Sequence, residues 1–293
     1  MQVAFVPFGA QRPLPVGGGR MRPAGSRTAV VGVLNVTPDS FSDGGGALDL
    51  EAAVRIARRL AEDGADLLDV GGESTRPGAA PVDLAEELRR VVPVVKAIRD
   101  RIGLPISVDT TKAAVFAEAV AVGAVMLNDV SGLSADPELG RIAARSAAAV
   151  VLMHRRGDPR TMASHAVYLD VARETADELA EAVARAREAG VADEFIVLDP
   201  GLGFAKTPEQ SWRLLAELDV CRLGRFPLLV GPSRKSFLGA ATGRSNPLDR
   251  DFATAVVTAD LARRGVEAVR VHAPAAARDA IAVARALVIG GLS

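Results

Sequence analysis

The sequence predicts an α/β protein, a (β/α)₈ TIM barrel with an N-terminal extension, and three observations favour this fold. Eight short apolar runs alternate with helical patterns, and each run ends on or carries a polar residue. The runs are AVVGVLN, ADLLDVGG, LPISVD, AVMLND, AVVLMH, FIVLDPG, PLLVGPSRK and AVRVH. Near-continuous apolar strands are typical of a parallel sheet buried on both faces. A length of 293 residues suits one closed barrel better than an open sheet.

The segment before the first unit, residues 1–27, is predicted to be the extension, and residues 28–293 a single catalytic domain. Pro13, Pro15 and the three glycines at 17–19 should break any regular element there. Arginine, proline and glycine also occur too early in this segment for a secretory signal.

Composition narrows the function classes. The net charge is -1 and the pI about 6.4, so no global attraction to nucleic acid or to an anionic membrane is expected. Cys221 is the single cysteine, which excludes an internal disulfide framework and suits a reducing compartment. No apolar run is long enough to span a bilayer. We therefore expect a cytoplasmic protein.

Helix start and stop signals agree with the strand–helix order. Asp83 with Glu86, and Thr207 with Gln210, both resemble capping boxes. Glycines stand between a helical pattern and the next apolar run, where a left-handed residue is wanted. These glycines are Gly64, Gly103, Gly123, Gly190, Gly224 and Gly265.

The predicted loops are unequal at the two ends of the barrel. Links from helix to strand are short, whereas those from strand to helix near 35–48, 72–82, 154–169 and 231–248 are long. Barrel enzymes build their sites on the second set of loops. A site is therefore expected at the carboxyl ends of the strands.

Two of these long loops carry candidate residues. The first, NVTPDSFSDGGG, starts at Asn35 and contains Asp39; it is either a simple turn with a flexible tip or a mobile clamp over the site. In the second, GGESTRPGA, Arg76 is either an exposed loop arginine or a binding group for an anionic or carboxylate-bearing ligand.

Asp109, Asn128 and Asp199 end three different strands. Any one of them could be a helix cap or a turn residue, but all three together offer acceptors and an amide to a flat ligand rich in N–H donors. A carboxylate after an apolar run, such as Asp199, is costly to desolvate unless something donates hydrogen bonds to it. No Cys or His cluster with zinc spacing accompanies them.

The last two runs bring basic residues to the usual phosphate position of such barrels. The hydrogen-bond donors brought there are Arg234, Lys235 and Ser236 of GPSRKS, and Arg270 and His272 of RVH. The spacing of a Walker loop is absent. A Schiff base on Lys235 is an alternative, although the neighbouring arginine and the second basic cluster fit phosphate better. At another strand end, His154 is more simply a satisfied structural histidine.

Eight motifs, one per strand and in order from about Val31 to Arg278, resemble those of the dihydropteroate synthases, a family of (β/α)₈ enzymes. They are GVLNVTPDSFSDGG, DVGGESTRPGA, ISVDT, NDVSG, MHRRGDPRTM, DPGLGFAKT, SRKSFLG and RVH. Two small departures, HAP for the more usual HDV and a proline in GPSRK, could alter the shape of the phosphate pocket.

The resemblance implies a reaction. These enzymes join 6-hydroxymethyl-7,8-dihydropterin diphosphate to p-aminobenzoate, releasing diphosphate in the presence of Mg²⁺, and sulfonamides compete for the p-aminobenzoate pocket. The pterin cation would form dissociatively, with Asp39 near its charge. The arylamine is already neutral, so its attack needs no dedicated base. A homodimer is also implied, and the apolar last helix, AIAVARALVIGG, is a candidate interface.

The resemblance also implies roles for individual residues. Asp109, Asn128, Met153, Asp199, Gly231 and Lys235 would bind the pterin. Asn35, Arg270 and His272 would hold the diphosphate, with Asn35 on the Mg²⁺. Thr75, Arg76, Pro77, Phe204 and Ser236 would form the p-aminobenzoate pocket. Asp39, Lys235, Arg270 and His272 would be the catalytic groups.

Two rival functions remain at this point. A pterin-dependent methyltransferase barrel can share the Asp–Asn–Asp set, but it has no use for Arg76, Arg270 and His272. A barrel retained only for binding or assembly should have lost some of the loop residues, yet every matched position is present.

Overall fold

The computed structural model describes residues 12–37, 47–76 and 78–290, and this part of the chain begins with an antiparallel hairpin. Its strands are β1, Leu14–Gly17, and β2, Arg20–Arg22. The prediction that residues 1–27 hold no regular element is therefore wrong for residues 14–22. Gly17 ends β1 and Gly18 and Gly19 form the turn of the hairpin, with φ of 77°, 60° and 70° in that order.

Eight parallel strands form the barrel, and each pairs with the next one in the chain except at β8 and β9. They are β3 Ala29–Asn35, β4 Leu67–Gly71, β5 Ile106–Asp109, β6 Met126–Asp129, β7 Ala149–Met153, β8 Ile196–Asp199, β9 Leu229–Val230 and β10 Ala268–Val271. β10 pairs with both β3 and β9. Between β8 and β9 the ring closes through a parallel bridge from Leu198 to Leu228. The predicted fold is confirmed.

Nine α-helices surround the barrel in the described residues. They are α1 Ala47–Glu62, α2 Leu84–Arg101, α3 Ala113–Val122, α4 Glu138–Ser146, α5 Val171–Glu188, α6 Pro208–Ala216, α7 Ser236–Thr242, α8 Asp251–Arg263 and α9 Pro274–Ile289. Short 3₁₀ turns occupy Met162–His165, Asp193–Phe195, Leu218–Arg222 and Pro247–Arg250. None of the described helices is long and apolar enough to cross a membrane.

One predicted loop is wrong in detail. The connection at 231–248 contains α7 and the start of a 3₁₀ turn, so two helices, α7 and α8, separate β9 from β10. The basic run before it hides the helix start, because the N-cap position is Lys235, a residue type that gives no capping signal.

The predicted helix boundaries are largely confirmed. All six glycines at predicted helix ends have positive φ, from 70° to 122°. Thr207 and Gln210 form the predicted capping box. Asp83 caps α2 by accepting from the amide of Glu86, but the Glu86 carboxylate binds Arg89 and Arg90, because these arginines follow it at helical spacing.

Alternation along the strands divides the core into two layers. Ala29, Val31, Leu67, Met126, Ala149, Val151, Val197, Leu229 and Ala268 form the barrel interior, joined from below by Leu14 of the hairpin. The other face of each strand packs against the helices, in a larger cluster that includes Val30, Leu68, Val150 and Leu198. The interior is thus filled with side chains at its lower end.

Candidate active site

The same alternation brings polar side chains to the upper end of the interior. Side chains alternate along a strand, so the residue two positions after an interior apolar residue again points into the barrel. Following Leu67, Met126, Val197 and Ala268, the positions reached are Asp69, Asn128, Asp199 and Arg270. The barrel therefore changes from apolar to polar within one pleat repeat.

A cavity of about 710 Å³ opens above these residues. The structure brings thirteen of the predicted site residues to its walls. They are Asn35, Thr75, Arg76, Asp109, Asn128, Met153, Asp199, Phe204, Gly231, Lys235, Ser236, Arg270 and His272. Asp39 and Pro77, also predicted for the site, lie outside the described residues. Sequence motifs from the ends of all eight barrel strands thus meet in one place.

Arg270 organises the polar floor of the cavity. Its Nε donates to Asp69 Oδ2 at 2.6 Å, and its Nη2 donates to Asp109 Oδ2 at 3.0 Å. Asn128 Nδ2 also donates to Asp69 Oδ2, at 3.0 Å. Burial raises the pKa of Asp109, an effect that the Arg270 guanidinium opposes. Two of the Arg270 donors predicted for diphosphate are therefore already engaged by carboxylates.

Asp69 is a residue to which sequence reasoning assigned no role. It is almost fully buried and orients both Arg270 and Asn128. The signal was present, because Asp69 interrupts the apolar run ADLLDVGG at an inward position of its strand.

Asp199 and Lys235 face each other across one side of the cavity. Asp199 Oδ1 accepts from the amide of Gly201 at 2.8 Å. Burial raises the pKa of Asp199, and the Lys235 ammonium is the largest opposing influence. Lys235 Nζ donates to the carbonyl of Leu202 and lies 4.6 Å from the centre of the Phe204 ring. Burial lowers the pKa of Lys235 to about 8.

His272 has one ring nitrogen fixed by Ser233. The amide of His272 donates to Ser233 Oγ at 3.2 Å, and Oγ lies 2.9 Å from His272 Nδ1. A hydroxyl can donate one hydrogen bond and accept two, so Ser233 can engage Nδ1 in either tautomer, and Nε2 is the ring nitrogen left for a ligand. Burial, followed by the charge of Arg270, lowers the pKa of His272 to about 3. His272 is therefore a neutral imidazole near pH 7.

Arg234 serves the fold more than the cavity. Its Nε and Nη2 each donate to the Asp251 carboxylate at 2.7 Å, a bidentate pair that ties the loop after β9 to the start of α8. The guanidinium predicted to join the anion site is therefore partnered by a carboxylate. Arg250, also on the cavity wall, donates to the backbone carbonyls of Arg234 and Arg244.

The loop after β4 is held at its base by charged side chains. Arg90 of α2 donates to the carbonyl of Gly72 at 2.9 Å, and Lys112 pairs with Glu73 and Glu87. Arg76, further along the loop, is exposed at the rim of the cavity. A smaller cavity of about 190 Å³ lies beside this loop.

His154 is a satisfied structural histidine, as the sequence indicated. Its Nε2 lies 2.9 Å from Glu178 Oε2, and its Nδ1 lies 2.7 Å from the ammonium of Lys206. Burial lowers its pKa to about 4, with the charge of Lys206 as the second cause. In the sequence, Lys206 is distinguished only as part of the motif DPGLGFAKT.

The described residues contain no cluster of three or more His, Cys, Asp or Glu side chains that could hold a metal ion. Asn35, at the end of β3, lines the cavity, and its side-chain amide has one oxygen that can serve as a ligand. Such a site suits a cation that keeps water and phosphate oxygens as most of its ligands.

Comparisons with known proteins agree with this geometry. The sequence profile of a family described as "Pterin binding enzyme" matches residues 31–272. The dihydropteroate synthase of Synechocystis sp. (strain ATCC 27184 / PCC 6803 / Kazusa) is 46% identical over 276 residues, which cover 94% of this chain and 95% of that protein.

Solved structures match with the same completeness. The Yersinia pestis dihydropteroate synthase with a sulfonamide drug complex has a TM-score of 0.86 at 39% identity, covering 94% of this chain and 98% of that one. The Xanthomonas albilineans enzyme with 4-aminobenzoic acid has a TM-score of 0.86 at 44% identity, with the same coverage. The Xanthomonas albilineans enzyme in complex with 7,8-dihydropteroate has a TM-score of 0.83 at 42% identity, covering 94% of this chain and 98% of that one.

Proposed function

Because this chain belongs to the dihydropteroate synthase family of pterin-binding enzymes, we propose that its cavity joins 6-hydroxymethyl-7,8-dihydropterin diphosphate to p-aminobenzoate. The products are 7,8-dihydropteroate and diphosphate, and the pathway is folate biosynthesis. One observation carries this function. Hydrogen-bond acceptors from β5, β6 and β8 and donors from the β9 loop and β10 line the same cavity.

We assign the pterin to the acceptor side of the cavity. A pterin presents an amino group beside a ring N–H, and the Asp199 carboxylate can accept from both. Asp109 and Asn128 suit the remaining ring edge, while Lys235 can donate to the pterin carbonyl or to a ring nitrogen. Gly231 contributes space, since an added Cβ there would lie 4.0 Å from Lys235 Nζ and 3.8 Å from Arg270 Cβ. Met153, at the end of β7, would cover the ring.

The leaving diphosphate is assigned to Asn35, Arg270 and His272. In the tautomer in which Ser233 donates to Nδ1, the neutral His272 would donate from Nε2. Arg270 contributes positive charge although two of its donors hold Asp69 and Asp109. Both groups favour the charge that develops on oxygen as the C–O bond breaks.

Mg²⁺ fits this site with Asn35 as its ligand, the diphosphate and water supplying the remaining oxygens. When bound, the ion would neutralise charge on the leaving group. Dependence of turnover on Mg²⁺ is the corresponding expectation.

The p-aminobenzoate is placed nearer the rim, where Thr75, Arg76, Phe204 and Ser236 lie. The Arg76 fork suits the carboxylate, and the Phe204 ring offers a flat apolar face. Sulfonamides, which share this shape, would compete there. Pro77 is assigned to the same pocket, and Asp39 to the positive charge on the pterin, both from outside the described residues.

The decisive experiment is diphosphate release by the purified protein, given dihydropterin diphosphate and Mg²⁺ with p-aminobenzoate present or withheld. Release that depends on p-aminobenzoate, with dihydropteroate as product, is the expected result. Tight pterin binding without turnover would instead favour the barrel retained for binding, and absence of pterin binding would refute the site. Withholding Mg²⁺ in a parallel arm tests its requirement.

We further propose that the enzyme is a homodimer in the cytoplasm. Phe252 and Val256 of α8, and Val283 and Leu287 of α9, are each more than half exposed, and the two helices pack side by side. An apolar patch of this kind suits a second copy of the chain. The buried, unpaired Cys221 is compatible with a reducing compartment.

A further inference from the structure

A buried lysine lies behind the loop that follows β8, and none of the roles above uses it. Lys206 Nζ lies 2.7 Å from His154 Nδ1 and 3.2 Å from each of the carbonyl oxygens of Gly201 and Phe204. Burial lowers the pKa of Lys206 to about 7. In its protonated form the side chain has three N–H donors and no acceptor. Three acceptors surround the Lys206 ammonium, so all three of its donors are used. Two of them bind the loop after β8, and the third binds His154.

The loop is one that needs support. Gly201, Gly203 and Ala205 have φ of 66°, 74° and 47°, and a positive φ is unfavourable for alanine. Such backbone persists when its surroundings over-determine it. Gly201 also lies tightly against the end of the neighbouring strand β7, because a Cβ there would be 2.0 Å from the carbonyl oxygen of His154.

His154 completes the support from the other side. Its pKa is lowered chiefly by burial, so the ring is neutral and Nδ1 can accept from the ammonium. The proton then lies on Nε2, which donates to Glu178 of α5 at 2.9 Å. Arg156 pairs with the same carboxylate. The loop is thereby fastened through Lys206 to a helix of the outer shell.

The loop carries Phe204 but not Asp199. Asp199 ends β8, where its carbonyl accepts from the amide of His154 at 2.9 Å, so the barrel itself holds it. Phe204 lies beyond the strand, and its carbonyl is one of the three acceptors of Lys206. Loss of the ammonium should therefore displace the Phe204 ring more than the Asp199 carboxylate.

We propose that Lys206 is a positioning residue that fixes the 200–205 loop and so sets the Phe204 ring against p-aminobenzoate. This inference rests on the proposed function for its choice of substrate. Its structural half, the fixing of the loop, stands on the three contacts alone.

The test is the pair of Michaelis constants of Lys206→Met, which keeps the length of the side chain and removes its donors. The KM for p-aminobenzoate should rise at least tenfold, while that for dihydropterin diphosphate should change less than threefold. Ile98→Ala, a cavity in the fully buried packing of α2, is the control for lost stability. It should leave both constants unchanged. Equal rises in the two constants, or two unchanged constants, would overturn the positioning role.

Amide hydrogen exchange of residues 200–206 tests whether Lys206 fixes the loop, and it needs no enzymatic turnover. Exchange should quicken in Lys206→Met beyond any change in the Ile98→Ala control, and matching rates would overturn the proposal. If the wild-type protein shows no turnover, the proposed function fails, and exchange still decides what Lys206 does.

A second pair of variants changes His154, the side chain that accepts a hydrogen bond from Lys206. His154→Asn keeps an acceptor near Nδ1 and should retain most of the p-aminobenzoate affinity, whereas His154→Leu should raise its KM as Lys206→Met does. The same result for both substitutions would contradict the hydrogen-bond argument.

Discussion

Asp199 shows how a carboxylate is maintained at the end of an apolar strand. The amide of Gly201 donates to one oxygen, and the Lys235 ammonium stands opposite. The charge is thus compensated by one amide and by cations, of which Lys235 has the largest effect.

Asp199→Asn should weaken the binding of dihydropterin about 10- to 100-fold, because a charged hydrogen bond contributes about 1.5–3 kcal/mol. Titration calorimetry with the pterin measures the loss. Asp260→Asn, an exposed position on α8, is the control. Unchanged affinity for the pterin would remove Asp199 from its assigned role.

His154 predicts an acid limit on stability. The pKa of His154 in the folded protein is about 4, below its ordinary value of 6.5, because the ring is buried beside Lys206. As pH falls below 6.5, the unfolded chain therefore binds a proton that the folded chain does not, and stability is lost until about pH 4. The other groups around the ring are Glu178, Arg156 and Tyr168.

The free energy of unfolding of the wild type should fall more steeply than that of His154→Asn, by up to about 3 kcal/mol between pH 6.5 and 4. Urea unfolding of both proteins at several pH values gives the difference. Glu178 also loses stability in acid, because hydrogen bonds from His154 and Arg156 lower its pKa to about 2 despite burial. That loss occurs mostly below pH 4, outside the range over which the two proteins are compared. Parallel curves for the two proteins would contradict the assignment of a neutral His154.

At the scale of elements, the loop after β4 combines a fixed base with an exposed tip. Arg90 and Lys112 hold Gly72 and Glu73, whereas Arg76 reaches the rim of the cavity. A substitution at the tip should therefore affect the ligand at the rim without disturbing the floor.

Arg76→Ala should raise the KM for p-aminobenzoate about tenfold and leave that for dihydropterin diphosphate nearly unchanged, since it removes the donors for one carboxylate. Steady-state kinetics with each substrate varied in turn make the comparison. Arg173→Ala, an exposed arginine on α5, serves as the matched control. A similar rise in both constants would place Arg76 elsewhere.

Elements were predictable from the sequence where a local pattern determined them. The eight apolar runs predicted the barrel, because the alternation of apolar strands and helical patterns is a property of short segments. The glycines predicted helix ends, because a positive φ is also set locally. The hairpin at 14–22 was missed, since Leu14 gains its burial from residues far along the chain. Likewise, the strand ends predicted Asp109, Asn128 and Asp199 as neighbours. The pairing of Arg270 with Asp69, 201 residues apart, required the closed barrel.

For the whole molecule, the exposed apolar faces of α8 and α9 lead to a prediction about assembly. Phe252→Glu should convert a dimer into a monomer, because a two-fold interface would bury the charge twice. Light scattering after size exclusion measures the mass. Val220→Glu, an exposed apolar position in the turn after α6, should leave the mass unchanged. A monomeric wild type would refute the proposed homodimer.

Leu14 and the apolar layer above it close the lower end of the barrel interior, so in the described part of the chain the cavity opens only at the carboxyl ends of the strands. A ligand on the polar floor therefore leaves by the mouth through which it entered. A molecule at the Phe204 and Arg76 rim would stand in the exit path of one held at Asp199. Residence time of the inner ligand is thus governed by the outer one, and a compound that binds only the rim could lengthen it without touching the floor.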